Sequence, residues 1–109
     1  MKWFPKLYAS PSLAGREKKV KMLLQLNRPM PMIWLITLPI GENNQLEIIN
    51  GKELLQPLYP KDRLKIIGIC SNKKEAMEMI GQLVEETYAV TGRADVRSYL
   101  LQQWKGWKT

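Results

Sequence analysis

The pattern of apolar and polar residues predicts a chain built from short strands and amphipathic helices. The stretch from Met32 to Leu38 is an unbroken run of β-favouring residues, which is typical of a strand covered on both faces. The stretch from Leu64 to Cys70 has the same character and predicts a second central strand. Shorter strands are expected from Lys6 to Ala9, at a sheet edge, and from Leu46 to Ile49.

An amphipathic helix is predicted near the N-terminus. Ser10 and Pro11 have the residue types of an N-cap and a first helical position. From there to about Asn27, leucine and valine recur at helical spacing while basic residues fall on the other side. We therefore expect one helix face to pack on the sheet and the other to meet solvent.

Two further helices are predicted in the C-terminal half. Asn72 with Glu75 three residues later resembles a capping box, and Gly92 is a natural C-terminal stop. The expected apolar face of this long helix comprises Ala76, Ile80, Leu83, Val84 and Thr87. Asp95 is placed to cap a last helix, which carries an apolar stripe that includes two tryptophans.

The order of these elements predicts an α/β fold in one domain over residues 1–109. Strand, short helix, strand and long helix imply a crossover between two parallel neighbouring strands. We expect a small sandwich with a short, mainly parallel sheet of three to four strands and helices packed on it. The Asn50-Gly51 pair permits a hairpin turn or a short helix through Leu55, and the helix is favoured. Residues 1–5 and 106–109 are expected to be loosely ordered.

Composition excludes several classes of catalytic and metal site. The 109 residues include 17 Lys and Arg, 10 Asp and Glu, one Cys and no His, for a net charge of +7. The lack of His excludes Ser-His, Cys-His and His-metal chemistry. A single Cys excludes an intrachain disulfide and a zinc site made of several thiolates. We expect no cofactor, no metal and no enzymatic activity.

No segment has the pattern of a signal peptide or a membrane span. The longest uncharged stretch, between Arg28 and Glu42, has 13 residues and contains three prolines, so it is too short and too interrupted to cross a bilayer. An unpaired Cys70 fits a reducing compartment. We expect a small bacterial protein of the cytoplasm, with no membrane partner.

The best candidate for a ligand site follows the second central strand. Ligands of open α/β sheets bind beyond the carboxyl ends of parallel strands, and the loop 41–44 follows the first such strand. The helix start after the second strand could hold a phosphate-bearing metabolite with its N–H groups and two lysines. The candidate anion-binding residues are Ser71, Asn72, Lys73 and Lys74. In the alternative, Asn72 only caps the helix and the lysines are solvated.

Other chemical candidates are weaker. Cys70 at the strand–helix junction is either a thiol activated by the helix N-terminus or a small buried apolar residue. Adjacent Glu85 and Glu86 point in different directions on a helix and are interpreted as surface charges. The side chains of residues 42–44 carry too little charge to hold Mg²⁺ without a ligand's oxygens.

The N-terminal helix is a candidate nucleic-acid surface. Its basic residues could neutralise phosphates, and nearby Trp3, Phe4 and Tyr8 could stack on bases. The candidate residues are Arg16, Lys18, Lys19 and Lys21. In the alternative, they form a solvated helix face, because no nucleic-acid-binding motif accompanies them.

Two tryptophans near the C-terminus raise the question of self-association. Trp104 and Trp107 either pack back on the domain or anchor an interface, where tryptophan is enriched. The leading functional hypothesis is a non-enzymatic protein that acts as a homodimer or with a protein partner. RNA or DNA binding and binding of an anionic metabolite remain the alternatives.

Overall fold

The computed structural model describes residues 1–28, 30–39 and 45–108. These residues form a four-stranded sheet with helices on both faces, which confirms the α/β fold class. Residues 2–5, expected to be loosely ordered, lie in the first strand. The elements are β1 (Lys2–Ala9), α1 (Glu17–Gln25), β2 (Trp34–Leu38), β3 (Glu47–Asn50), β4 (Lys65–Cys70), α2 (Lys73–Thr91) and α3 (Val96–Lys108), with 3₁₀ helices at Gly51–Leu55 and Lys61–Arg63.

The sheet is mixed, with the strand order β1-β4-β2-β3. β1 and β4 are parallel, whereas β2 is antiparallel to both of its neighbours. Trp34 lies opposite Cys70 and Leu38 lies opposite Lys65, so the expected parallel pairing of the two central strands is corrected. After β2 the chain turns back to form β3 on one side of β2. It then crosses over to form β4 on the other side of β2. β3 and β4 therefore run in the same direction but are not neighbours.

β4 is the centre of the hydrophobic core. Ile66, Ile67, Ile69 and Cys70 are all fully buried. Ile67 and Cys70 face α2 and α3, whereas Ile66 and Ile69 face α1 and the first 3₁₀ helix. The strand is thus covered on both faces, as the unbroken apolar run predicts.

α1 begins later than the sequence pattern predicts. Its first residue is Glu17, and the N-cap position is Arg16, whose side chain makes no capping bond. Ser10, the predicted cap, is buried, and its N–H donates to the Ile69 carbonyl oxygen at 3.0 Å. The capping prediction is therefore wrong, because the hydrogen bonding of the β1–β4 pair continues through Ser10.

The helix ends in the C-terminal half agree with prediction. Asn72 Oδ1 accepts the N–H of Glu75 at 2.8 Å, so Asn72 caps α2. Gly92 ends this helix with a φ of 73°, in the left-handed region that favours glycine. The N–H of Ser98 donates to Asp95 Oδ1 at 3.2 Å at the start of α3.

The Asn50-Gly51 pair starts a 3₁₀ helix, which confirms the favoured alternative. Asn50 Oδ1 accepts the N–H of Lys52 at 3.0 Å, and its Nδ2 donates to the Pro31 carbonyl oxygen at 2.8 Å. The N–H of Gly51 donates to the Ile33 carbonyl oxygen at 2.8 Å. These bonds fix the 30–33 loop against the start of the 3₁₀ helix.

Over the described part of the chain, every helix is too short or too polar to cross a membrane.

We predict that Gly51→Ala destabilises the fold. A Cβ atom at this position would lie 2.5 Å from the backbone carbonyl oxygen of Met30, which cannot move without the loop. The expected loss is roughly 1 to 3 kcal/mol of unfolding free energy, measured by urea denaturation of dilute protein. Gly81→Ala is the control, since an added Cβ there meets no atom within 4 Å. It should stabilise α2 by up to about 1 kcal/mol. A Gly51→Ala variant as stable as the wild type would contradict the described loop contact.

Candidate functional site

The carboxyl ends of the parallel strands β1 and β4 bring a group of hydroxyls to the start of α2. Ser12 follows β1 and Ser71 follows β4, and their Oγ atoms are 2.6 Å apart. Ser12 Oγ also lies 3.2 Å from the hydroxyl oxygen of Ser10, within hydrogen-bond distance. The loop 41–44, predicted to share this crevice, lies outside the described residues. β2 ends at Leu38, which lies beside the first residue of β4. The carboxyl end of β2 is therefore at the opposite end of the strands from Ser71.

Glu75 supplies an internal carboxylate to this hydroxyl group. Ser12 Oγ donates to Glu75 Oε1 at 3.0 Å, the N–H of Ser71 donates to the same oxygen at 3.2 Å, and the Ser71 hydroxyl also donates to it. Hydrogen bonds, first from the Ser71 side chain and then from Ser12, hold the pKa of Glu75 below its usual value. The chain's own carboxylate therefore takes the donors that a ligand anion would use.

The four predicted anion-binding residues do not converge on an open site. Asn72 caps α2, and the Ser71 hydroxyl donates to Glu75. Lys73 and Lys74 are exposed. This arrangement favours the alternative in which Asn72 caps the helix and the lysines are solvated.

Cys70 is buried next to this junction. Its side chain is fully inaccessible, and Sγ lies 3.9 Å from Met79 Sδ. Burial, with a smaller contribution from the Glu75 charge, raises the pKa of the Cys70 thiol to about 11. The thiol is therefore neutral near pH 7, which fits a buried apolar role and opposes activation by the helix N-terminus.

A second polar cluster joins three elements through one carboxylate. Tyr8 on β1 and Tyr99 on α3 both donate their hydroxyls to Oε2 of Glu86 on α2, at 2.9 and 2.8 Å. Burial first, and then the bond to Glu86, raises the pKa of each tyrosine. Both phenols are therefore neutral donors to Glu86. The interpretation of Glu86 as a solvated surface charge is corrected, because its side chain is half-buried and accepts two tyrosine hydroxyls.

Three clefts have a residue of this cluster in their walls: one of about 350 Å³ beside Ser98 and Tyr99, and two that also include residues of β1. The larger of these two has a volume of about 420 Å³ and includes apolar and amide side chains. It is lined by Phe4, Pro5, Lys6, Val90, Thr91, Tyr99, Gln102 and Gln103. The smaller, of about 90 Å³, is lined by Tyr8, Met79, Gln82, Leu83 and Glu86. Sequence reasoning missed this region, since its residues come from β1, α2 and α3.

Trp104 belongs to the core. It is 7% exposed, and its ring meets Phe4 edge to face with centroids 5.6 Å apart. Phe4 in turn stacks on Tyr8 at 6.0 Å. Of the two predicted interface residues, Trp104 thus packs back on the domain. Trp107 lies within α3, and its side chain is outside the described residues.

The basic N-terminal helix presents charge, and the aromatic side chains near it make contacts within the fold. Arg16, Lys18 and Lys19 are exposed. Lys21 instead lies over the Trp3 ring, with Nζ 5.6 Å from the ring centroid, and Trp3 Nε1 is buried. With Phe4 in the core and Tyr8 bonded to Glu86, the three aromatic residues expected to stack on bases are all engaged within the fold.

The outer face of α2 is unexpectedly apolar. Met77 and Tyr88 are 62% and 63% exposed, and Val84, predicted to be part of the buried face, is 37% exposed. Gly81 lies between them and is open to solvent. Positions 77, 81, 84 and 88 recur at helical spacing, so they form one stripe along the helix.

No protein family, curated protein or solved structure matches this chain. Within the described ranges there is also no group of three or more Cys, Asp and Glu residues that could hold a metal ion. Function is therefore inferred from the chain's own side chains.

We predict that the Glu86 cluster makes stability depend on alkaline pH. Folding raises the pKa of Tyr8 and Tyr99, so it favours their protonated form. The stabilisation that these two phenols give the folded state is therefore complete below the ordinary pKa of 10.0 and declines as pH rises above it. Tyr8→Phe should cost roughly 1 to 2 kcal/mol near neutral pH, since Glu86 loses a hydroxyl donor. It should also reduce the fall in unfolding free energy between about pH 8 and about pH 11, measured by urea denaturation.

Tyr88→Phe is the control for this experiment. It removes an exposed phenol that is not bonded to Glu86, so in dilute protein it should leave both stability and the alkaline slope at wild-type values. Equal slopes in Tyr8→Phe and the wild type would contradict the role assigned to Tyr8.

Thiol labelling tests the environment of Cys70. We predict that the native thiol reacts with an aromatic disulfide reagent more slowly than free cysteine at the same near-neutral pH, because it is buried and neutral. In urea the unfolded chain should react at the rate of a free thiol. A native thiol faster than free cysteine would instead reveal an activated nucleophile.

Proposed function

We propose that the protein is a non-enzymatic binding protein of the cytoplasm that forms a homodimer through the outer face of α2. The observation that carries the proposal is the exposed apolar stripe of Met77, Val84 and Tyr88 around Gly81. Large exposed apolar side chains aligned on one helix face are typical of an interface. Gly81 has no side chain and lets a second helix approach this part of α2 closely.

Charge on the flank of the stripe favours a second copy of the chain as the partner. Lys74 and Glu85 are both exposed and lie about three helical turns apart on the same side of the stripe. A twofold axis between antiparallel α2 helices brings these flanks together, so Lys74 of each chain faces Glu85 of the other. A parallel twofold arrangement would instead place the two flanks on opposite sides of the contact, so neither pair could form.

The absence of enzymatic activity is supported by the chemistry of the chain. There is no histidine to act as a base, and the thiol of Cys70 is held neutral. The carboxylates of Glu75 and Glu86 both accept hydrogen bonds from hydroxyls of the fold. A cytoplasmic location is supported by the single, unpaired thiol.

Sedimentation equilibrium tests the dimer. We predict that the wild type sediments at twice the 12.7 kDa mass of the chain. Val84→Glu should weaken association by roughly tenfold or more, because a carboxylate would lose its water at the interface. Val90→Glu is the matched control, since Val90 lies on the same helix but beside the large cleft, and it should leave the dimer intact. A wild type that is monomeric at all concentrations would overturn the proposal.

A charge exchange tests the antiparallel arrangement. Lys74→Glu and Glu85→Lys should each weaken the dimer, because each places like charges across the twofold axis. The double variant restores the opposite-charge pairs and should recover association. If it associates as weakly as the single variants, these two residues are not paired across an interface.

A further inference from the structure

The opposite side of the sheet has an outer surface of a different kind. α1 and the 3₁₀ helix Gly51–Leu55 cover this side, and Leu24 and Leu54 pack in the same core cluster. Met30 and Tyr59 also pack against this cluster, which places the loops that carry them in the same layer. We call the outward side of this layer the basic face.

Large apolar side chains protrude from the basic face. Leu58 is 96% exposed and Met32 is 75% exposed. Leu26 and Met22 on α1 are 59% and 52% exposed, and Leu55 is 40% exposed. These side chains are therefore available to an external apolar phase.

Positive charge is concentrated around the side chains on α1. Segment 16–28 contains five basic residues and one acidic residue, whereas segment 51–59 contains one of each and the charges of Glu53 and Glu47 act on Tyr59 next to Leu58. Lys18, Lys19, Arg28 and Lys52 are all exposed. A surface that joins exposed aliphatic groups with lysine and arginine is complementary to an anionic layer that has an apolar interior.

We infer that the basic face binds the surface of a bilayer that contains anionic lipids. The aliphatic side chains would enter the boundary between headgroups and acyl chains, while the basic groups meet lipid phosphates. This mode needs neither a spanning helix nor a groove, and the two clefts that include β1 residues lie on the α2 and α3 side of the sheet.

The same observations oppose nucleic acid as the ligand of this face. Single-stranded nucleic acid gains affinity from stacking on accessible aromatic rings. Here Lys21 lies over the half-buried Trp3 ring, and the exposed apolar residues between Lys21 and Arg28 are Met22 and Leu26. Aliphatic side chains add no stacking energy, whereas they add affinity for a bilayer.

The basic face is free in the proposed dimer. α1 packs on one face of the sheet and α2 on the other, so self-association through α2 leaves the basic face exposed. The inference therefore does not depend on the dimer, and a monomeric Val84→Glu variant should still bind vesicles.

Vesicle co-sedimentation tests the inference. We expect the full chain to pellet with vesicles of phosphatidylcholine and phosphatidylglycerol and to stay in solution with vesicles of phosphatidylcholine alone. Binding should fall as salt rises, because the surface potential is screened. Equal binding to neutral and anionic vesicles, or no binding to either at low salt, would overturn the inference.

Two pairs of charge-reversal variants distinguish binding through the basic face from an effect of net charge. Lys18→Glu with Lys19→Glu should weaken binding to anionic vesicles by roughly tenfold or more. Lys6→Glu with Arg93→Glu changes the net charge equally at exposed positions away from the basic face, and should have a much smaller effect. All four sites are exposed, so folding should be unchanged, as circular dichroism and urea denaturation would verify. Equal losses in both pairs would overturn the assignment to this face.

A further pair of variants tests how much the exposed apolar side chains contribute to vesicle binding. Leu26→Ser should weaken vesicle binding by roughly fivefold, since an exposed leucine among the basic residues of α1 can enter the bilayer boundary. Val90→Ser, on the α2 side and similarly exposed, should not change it. Binding of an oligonucleotide that exceeds vesicle binding at equal salt and is insensitive to Leu26→Ser would replace the bilayer with nucleic acid.

Discussion

The burial of β4 on both faces and along both edges is the constraint on which the rest of the structure depends. β4 pairs with β1 and β2 and has no accessible side chain between Ile66 and Cys70. Apolar side chains must therefore come from both sides, and they come from α1 on one face and from α2 and α3 on the other. The same pairing explains why Ser10, directly after β1, donates its N–H to Ile69 of β4 and does not begin a helix.

Carboxylates connect the layers around this strand. Glu86 accepts hydroxyl hydrogen bonds from β1 and α3, and Glu75 accepts them from the residues that follow β1 and β4. Each carboxylate occupies a place where a ligand site could form, namely a cleft wall and a helix N-terminus. These two carboxylates are therefore used within the fold, and the surfaces considered for recognition are the outer faces of the helices.

These outer faces differ in chemistry because the sheet separates them. The α2 face combines an apolar stripe with charges of both signs, which suits a second copy of the chain. The basic face combines exposed aliphatic groups with an excess of lysine and arginine, which suits an anionic surface. A protein with both faces would present two basic faces per dimer, and each additional contact raises the strength of binding to an extended surface.

Local sequence determined the element types and most of the helix ends, because apolar periodicity and caps such as Asn72 and Gly92 act over a few residues. Only the tertiary structure decided strand order and direction, since an apolar run buried on both faces has no signal for its neighbours. For the same reason the roles of Glu86 and Trp104 were not evident from the sequence. Their partners, Tyr8 and Phe4, come from the opposite end of the chain, and only folding brings them together.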